Sequence, residues 1–312
     1  MAQDIFTNWT QDHSQGWGHK PVLAQHSLHE SPLFTREALS ALIDTYPVEH
    51  FALVHVSHSG DSKRVWREGE LGGLSGAEVI DWIEAGKLWL NLRRAPEVDA
   101  RYGTLLNAIF DELEIRVPNL TTFSRSIGIL ISSPNASVPY HCDMPGQSLW
   151  QIMGSKRLYL YPNEERYLPQ AELERIALYG IEVDMTYDPA FDREALVVDL
   201  MPGQMMSWPL NAPHRVENHG CLNVSVTTEY WTNDIRREQQ VTMGNAVLRN
   251  VFGVQPRSRS ITGPSFAAKA ALQAAYRRSP WLKQARRARR PIDFRLAPQS
   301  PGSIADIPAY VR

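Results

Sequence analysis

The chain has little of what marks secreted, membrane-spanning or strongly nucleic-acid-binding proteins. Its 312 residues include only two cysteines, Cys142 and Cys221, which cannot form a disulfide framework and suit a reducing compartment. No N-terminal apolar run is long enough for a signal peptide or a membrane span. The formal net charge of −2 argues against general electrostatic binding of nucleic acid. We therefore expect a cytoplasmic protein that is not attached to a membrane.

The chain also lacks internal repeats. Its residues are 43% hydrophobic, which is enough for a substantial core. Residues 1–120 mix helical and strand-like patterns, with a capping box at Ser75 and Glu78, and are expected to pack on the core. Residues 121–232 form short alternating runs separated by Pro, Gly and Asn. Residues 233–312 return to a helical pattern and end in a Pro-rich tail.

The middle region carries the clearest structural signal. Its alternating runs predict strands at 126–131, 138–143, 156–161, 196–200, 204–208 and 222–228. Many short strands at regular spacing indicate an all-β double-sheet barrel. The insertion 163–195 interrupts these strands and is predicted to be partly helical, as a lid or substrate-facing loop. Helices are also predicted at 35–44 and 97–113.

A metal site is suggested by His141 and Asp143 in a strand-like segment and by His214 far downstream. Side chains alternate along a strand, so His141 and Asp143 should point the same way while Cys142 points to the other side. Two imidazoles and one carboxylate form the facial triad of non-haem Fe(II) sites, which leaves coordination positions open. The His-X-Asp spacing alone is weak, because short motifs occur by chance.

Three further segments strengthen this interpretation: 147–162 (QSLWQIMGSKRLYLYP), 202–209 (PGQMMSWP) and 220–227 (GCLNVSVT). In order and spacing they resemble the Jumonji-C and cupin-like dioxygenases, notably the asparaginyl hydroxylases that act on hypoxia-inducible factor. The resemblance covers roughly 120–232. It implies a mainly β fold, a double-stranded β-helix (jelly roll) with flanking helices. It also implies Fe(II), 2-oxoglutarate and O2 as cofactors, with the metal held by His141, Asp143 and His214.

The same resemblance implies roles for three further residues. Lys156 follows His141 by 156 − 141 = 15 residues, as in the hydroxylases, and would hold the distal carboxylate of 2-oxoglutarate. A lysine pointing inward from an apolar-alternating strand is costly unless it meets an anion. Gln147 falls where the family places an Asn near the proximal carboxylate, and Thr227 where it places another on the last strand.

One position departs from the family pattern. Val138 stands where the closest relatives have a Thr whose hydroxyl helps the lysine bind the distal carboxylate. Tyr140, Ser126 or Tyr159 could supply a hydroxyl instead, and the sequence does not choose among them.

Other conspicuous residues have ordinary explanations that we favour. Core or rim packing is favoured over a substrate cage for the aromatic residues Trp150, Trp208, Tyr230 and Trp231. A solvated helix face is favoured over nucleic-acid binding for the basic residues Arg277, Arg278, Lys283, Arg286, Arg287, Arg289 and Arg290. The resembling hydroxylases dimerise through C-terminal helices, and the Ala-rich face of 266–276 would allow a homodimer here.

The expected function is therefore an Fe(II)- and 2-oxoglutarate-dependent hydroxylase. The resemblance favours a protein side chain as substrate, with a small molecule or a nucleic-acid base as rivals. Two other classes remain open: a non-catalytic cupin that binds metal as a scaffold or sensor, and a cupin isomerase or dioxygenase without a cosubstrate. A cupin isomerase or dioxygenase without a cosubstrate has no need for Lys156. A non-catalytic scaffold would make no succinate.

Overall fold

The computed structural model describes residues 4–58, 64–180, 185–280 and 291–311. In chain order, strands β1 to β14 are Val22–Gln25, Phe51–His58, Arg64–Glu70, Leu88–Leu92, Phe123–Ser132, Ser137–His141, Gly146–Met153, Lys156–Leu160, Leu196–Leu200, Gln204–Ser207, His214–Asn218, Asn223–Trp231, Ile292–Leu296 and Ile304–Tyr310. Helices α1 to α8 are Gln11–Gly16, Arg36–Asp44, Gly76–Ala85, Ala95–Val98, Ala100–Arg116, Gln170–Tyr179, Asn233–Asn250 and Gly263–Arg278.

Strands β5 to β12 form a jelly roll. The first of these eight strands pairs with the eighth, the second with the seventh, the third with the sixth and the fourth with the fifth, always antiparallel. The small sheet has the order β6-β11-β8-β9, and it faces the β10-β7-β12-β5 part of a ten-stranded sheet. The predicted mainly β jelly roll with flanking helices is confirmed.

The interior between the two sheets follows from alternation along each strand. On β8, Lys156, Leu158 and Leu160 are buried, whereas Arg157 and Tyr159 between them are partly exposed. Leu158 and Leu160 pack in the interior cluster, so Lys156 points to the same side. Preceding β8, Gly154 has a left-handed φ of 70°, and a Cβ there would overlap the Leu222 carbonyl, so this turn requires glycine.

The outer face of the ten-stranded sheet carries the main core. Helices α2 to α5 cover it with apolar residues such as Leu39, Ile83 and Ile109, which join Ile129 and Val226 of the sheet in one cluster. The predicted capping box is present: Ser75 and Glu78 bond reciprocally at the start of α3. The helix predicted over 97–113 is instead broken into α4 and α5, because the Asp99 side chain caps a new start.

The ten-stranded sheet extends beyond the jelly roll through β4, β2, β3, β13 and β14. Strands of the first 120 residues thus share a sheet with the core rather than merely packing on it. The C-terminal region predicted as helix and tail also contains two strands, and β13 pairs parallel with β3. Ile292, Phe294 and Leu296 alternate as buried residues along β13. Burial of their apolar side chains favours a strand here, although the Pro-rich sequence nearby suggested an irregular tail.

The insertion 163–195 contains the predicted helix, α6, which packs against α7. Glu174 of α6 is fully buried and accepts from Arg249 of α7 at 2.7 Å. Residues 181–184 of the insertion lie outside the described residues, as does the basic stretch from Lys283 to Arg290. Among the described residues no helix is both long and apolar enough to cross a membrane.

Candidate metal centre

The three predicted metal ligands converge at one end of the jelly roll. His141 is the last residue of β6 and His214 the first of β11, and the antiparallel pairing of these strands places the two directly opposite each other. Asp143 lies two residues beyond the end of β6 rather than within the predicted strand 138–143. One ligand atom from each of the three residues lies within 4.8 Å of the others.

Backbone carbonyl groups orient both imidazole rings. The Nδ1 of His141 lies 2.8 Å from the Pro139 carbonyl, and the Nδ1 of His214 lies 3.0 Å from the Ala212 carbonyl. An Nδ1–H that donates to a carbonyl leaves Nε2 as the atom with the free lone pair. The ring centroids are 4.1 Å apart. Each histidine is therefore held as the neutral tautomer suited to binding a metal through Nε2.

The electrostatic surroundings favour neutral imidazoles. Burial lowers the pKa of His141, and burial together with the nearby His141 lowers the pKa of His214 well below its usual value. The 3.3 Å contact between His214 Nε2 and Asp143 Oδ2 is therefore not an ion pair at neutral pH. Two neutral imidazoles and a carboxylate are the donors that a divalent transition metal requires, so the residues present fit Fe(II).

Two residues that sequence reasoning did not assign to the centre support these ligands. The Asn211 side chain donates to the Asp143 backbone carbonyl at 2.5 Å. The centroid of the Trp208 ring lies 4.5 Å from the centroid of the His214 ring. The packing predicted for Trp208 is therefore against a predicted metal ligand. The signal that could have found them is the segment just before His214, where a tryptophan and an asparagine precede the histidine by six and three residues.

A cavity of about 480 Å³ opens over the three ligands. Val138, Gln147 and Thr227 line it, as do the apolar Leu149 and Val216. Residues of β2, β3 and β4, together with Arg93 just after β4, continue the cavity away from the metal centre. These lining residues are Ala52, Val54, Trp66, Glu68, Trp89, Asn91 and Arg93. The jelly roll and its sheet extension therefore share one continuous concave surface.

Lys156 lies at the other end of the jelly-roll interior and does not line this cavity. It pairs with Asn218 across β11, whereas His214 pairs with Leu160 at the opposite end of β8, a separation of about 13 Å along the strand. Lys156 is 4% exposed, and no carboxylate of the described residues lies within ion-pair distance. Burial lowers its pKa to about 7, an effect that nearby Cys221 partly opposes.

The hydroxyl groups considered as replacements at Val138 are all engaged elsewhere, and none lines the cavity. The Tyr140 hydroxyl donates to the Tyr167 carbonyl at 2.9 Å, the Tyr159 hydroxyl to Glu217 at 3.3 Å and the Ser126 hydroxyl to Glu229 at 3.0 Å. Tyr140 and Tyr159 belong to the apolar cluster under the insertion. Val138 itself faces Val216, so this wall of the cavity is aliphatic.

No protein-family model and no curated protein matches the chain. Solved structures do. The chain is similar to the structure of Escherichia coli ycfD, with a TM-score of 0.52 and 16% identity over 91% of this chain and 72% of that one. It is also similar to the ribosomal oxygenase YcfD in complex with cobalt and 2-oxoglutarate, with a TM-score of 0.50 and 15% identity over 93% and 74% of the two chains. We conclude that the chain has the fold of the E. coli ribosomal oxygenase YcfD.

Proposed function

We propose that this protein is an Fe(II)- and 2-oxoglutarate-dependent oxygenase that hydroxylates a C–H bond of a protein side chain. One observation carries the proposal: a two-histidine, one-carboxylate centre and a buried lysine without a carboxylate partner among the described residues occupy opposite ends of one jelly-roll interior. The first arrangement suits a metal cation, and the second suits an anion. A dicarboxylic acid that binds the metal at one end and the lysine at the other satisfies both.

The residues of the chain would have separate roles in this reaction. His141, Asp143 and His214 would hold Fe(II), which with 2-oxoglutarate and O2 supplies the oxidising power for C–H hydroxylation, with succinate and CO2 as co-products. Lys156 would pair with the distal carboxylate, which offsets the cost of burying both charges. Thr227 lines the cavity and would donate to the cosubstrate.

The remainder of the cavity would exclude water and place the substrate. Val138, Leu149 and Val216 provide apolar walls near the centre. The Trp66 and Trp89 rings, 5.0 Å apart in an edge-to-face arrangement, lie in the sheet extension. Aromatic surface of this kind packs against a side chain that enters from outside. We propose that this half of the cavity receives the substrate.

The fold neighbour supports the proposed chemistry and the substrate class. YcfD is a ribosomal oxygenase and binds cobalt and 2-oxoglutarate, so the same fold accommodates both a metal and this cosubstrate. A macromolecular substrate is consistent with that neighbour, and we propose a protein side chain in a cytoplasmic setting. The specific likeness to asparaginyl hydroxylases, the C-terminal homodimer and the absence of nucleic-acid binding stay predictions.

Anaerobic titration tests the proposal directly. Fe(II) and 2-oxoglutarate added together should produce a metal-to-ligand charge-transfer absorption band that neither produces alone. Admission of O2 should then yield succinate. A chain that binds Fe(II) but shows no such band and makes no succinate would be the metal-binding scaffold instead.

A further inference from the structure

We propose that Gln147 is a positioning residue that holds the carboxylate of Asp143 for the metal, rather than a direct contact to 2-oxoglutarate. This inference rests on the proposed function, because it concerns the same metal centre. It reassigns a residue for which the family resemblance implies a different partner. The contact that carries it joins two side chains of this protein.

The contact lies between the Gln147 amide and the Asp143 carboxylate. The amide nitrogen can donate to both carboxylate oxygens, at 2.7 Å to Oδ1 and 2.6 Å to Oδ2. The reverse orientation would set the amide oxygen against two acceptors, which is unfavourable, so the hydrogen-bonding chemistry decides the orientation. One side chain thus fixes both the position and the plane of the carboxylate.

Gln147 is well placed for this because it is on a central strand, whereas Asp143 is in a loop. Gln147 is the second residue of β7, which is paired on both sides, with β12 and β10. Its own backbone carbonyl accepts from the Ser207 hydroxyl at 3.1 Å. A rigid strand residue can therefore orient a loop ligand, whose backbone carbonyl is separately held by Asn211.

The carboxylate that Gln147 orients also faces a second predicted ligand. Its Oδ2 lies 3.3 Å from His214 Nε2. Gln147 therefore holds Asp143 beside the imidazole with which it would share the metal.

The test is a Co(II) titration without 2-oxoglutarate, in which Co(II) serves as the spectroscopic probe. Gln147→Met keeps an unbranched side chain of similar length but removes the donor. Loss of an outer hydrogen bond to a metal ligand typically lowers metal affinity 10- to 100-fold, about the loss expected here. The intensity of the Co(II) visible bands should also change, because the carboxylate is then no longer held in one orientation. Gln147→Asn should also lose Co(II) affinity, because its shorter side chain cannot reach the Asp143 carboxylate. The same loss in two variants excludes a folding defect of one variant as its cause.

Gln151→Met is the matched control, since Gln151 lies four residues further along the same face of β7. Its amide bonds Asn223 at 2.7 Å and accepts from Ser225 at 2.8 Å in a separate buried network. This variant should lower thermal stability and leave Co(II) affinity unchanged. Wild-type Co(II) affinity in folded Gln147→Met and Gln147→Asn, with weakened 2-oxoglutarate binding at saturating Co(II), would overturn the inference and leave the proposed function standing. A wild-type protein that binds no Co(II) would instead refute the proposed function.

Discussion

The two ends of the jelly-roll interior differ in how their charged groups are assembled. At the metal end, strand pairing brings together three residues that are up to 73 positions apart, since 214 − 141 = 73. At the other end, a single residue, Lys156, is buried by alternation along its own strand. The metal end depends on several elements meeting in register, whereas the lysine end depends on desolvation of one group. The two ends should therefore respond differently to mutation and to pH.

The largest effect is expected at the metal end. Asp143→Ala and His141→Ala each remove one of three donors, and we expect metal binding to be lost. Equilibrium dialysis with Fe(II) or Co(II), followed by metal analysis, measures this. Asp199→Ala, which removes an exposed carboxylate paired with Arg157, is the control and should bind one ion per chain. Full occupancy in both ligand variants would remove the assignment of the metal site.

A smaller but still large effect is expected at the lysine end. Lys156→Met should raise the dissociation constant of 2-oxoglutarate by at least about a hundredfold, because a buried anion without its partner costs roughly 3 kcal/mol. Metal affinity should not change, since the lysine lies about 13 Å along the strand from His214. The free energy of unfolding should stay the same or increase, because an apolar side chain replaces a desolvated ammonium.

Calorimetric titration of 2-oxoglutarate into the metal-loaded protein measures that constant. Arg157→Met is the matched control, because Arg157 is the next residue and points outward to Asp199. It should bind the cosubstrate as the wild type does. Unchanged binding in Lys156→Met would exclude the lysine as the anchor and would restrict the anion to the cavity over the metal.

A pH dependence should distinguish the lysine end from the metal end. Burial lowers the pKa of Lys156 from 10.5 to about 7, and only the ammonium can pair with the dianion. Above pH 7, binding must therefore take up a proton, and 2-oxoglutarate affinity should fall about tenfold per pH unit. Lys156→Arg stays charged, so its weaker binding should not show this decline. A wild-type affinity that is constant from pH 7 to 9 would contradict the predicted pairing.

The same shift has a consequence for stability. Between pH 7 and 10.5 the unfolded chain holds the lysine proton and the folded chain does not. The free energy of unfolding of the ligand-free protein should therefore gain a contribution that increases with pH across this window. Denaturant titrations of the wild type and of Lys156→Met would measure it, since the variant lacks the contribution.

The smallest effect concerns Val138 in the aliphatic wall between the two ends. Val138→Thr adds a hydroxyl to the cavity lining, and one charge-assisted hydrogen bond should tighten 2-oxoglutarate binding by a modest factor. Val138→Ala, which adds no hydroxyl, is the control and should not tighten binding. Weaker binding by the threonine variant would mean that the distal carboxylate does not approach this wall.

Local patterns in the sequence predict a large part of this architecture. Alternation predicts β8 and the inward direction of Lys156, and the capping box predicts the start of α3. Residue chemistry predicts His141, Asp143 and His214 as a candidate ligand set, although β6 ends at His141 and Asp143 reaches the other two from a loop. Thr227, predicted on the last strand, lies in the cavity lining.

Other features depend on partners that are distant in the sequence. The parallel pairing of β13 with β3, the Trp66 and Trp89 half of the cavity, and the contact of Gln147 with Asp143 have no local signal that reveals them. Each arises from packing between elements, because burial and strand pairing select among conformations that are similar in local energy.

The sequence by itself determined which residues can bind a metal or pair with an anion. It also determined which segments alternate as strands. Those properties depend on side-chain chemistry and on neighbours one or two residues away. The tertiary structure alone decided that β6 and β11 pair with His141 opposite His214, and that Lys156 lies beyond the cavity over these ligands. Strand register and desolvation are properties of the assembled sheets, so only the folded chain could establish them.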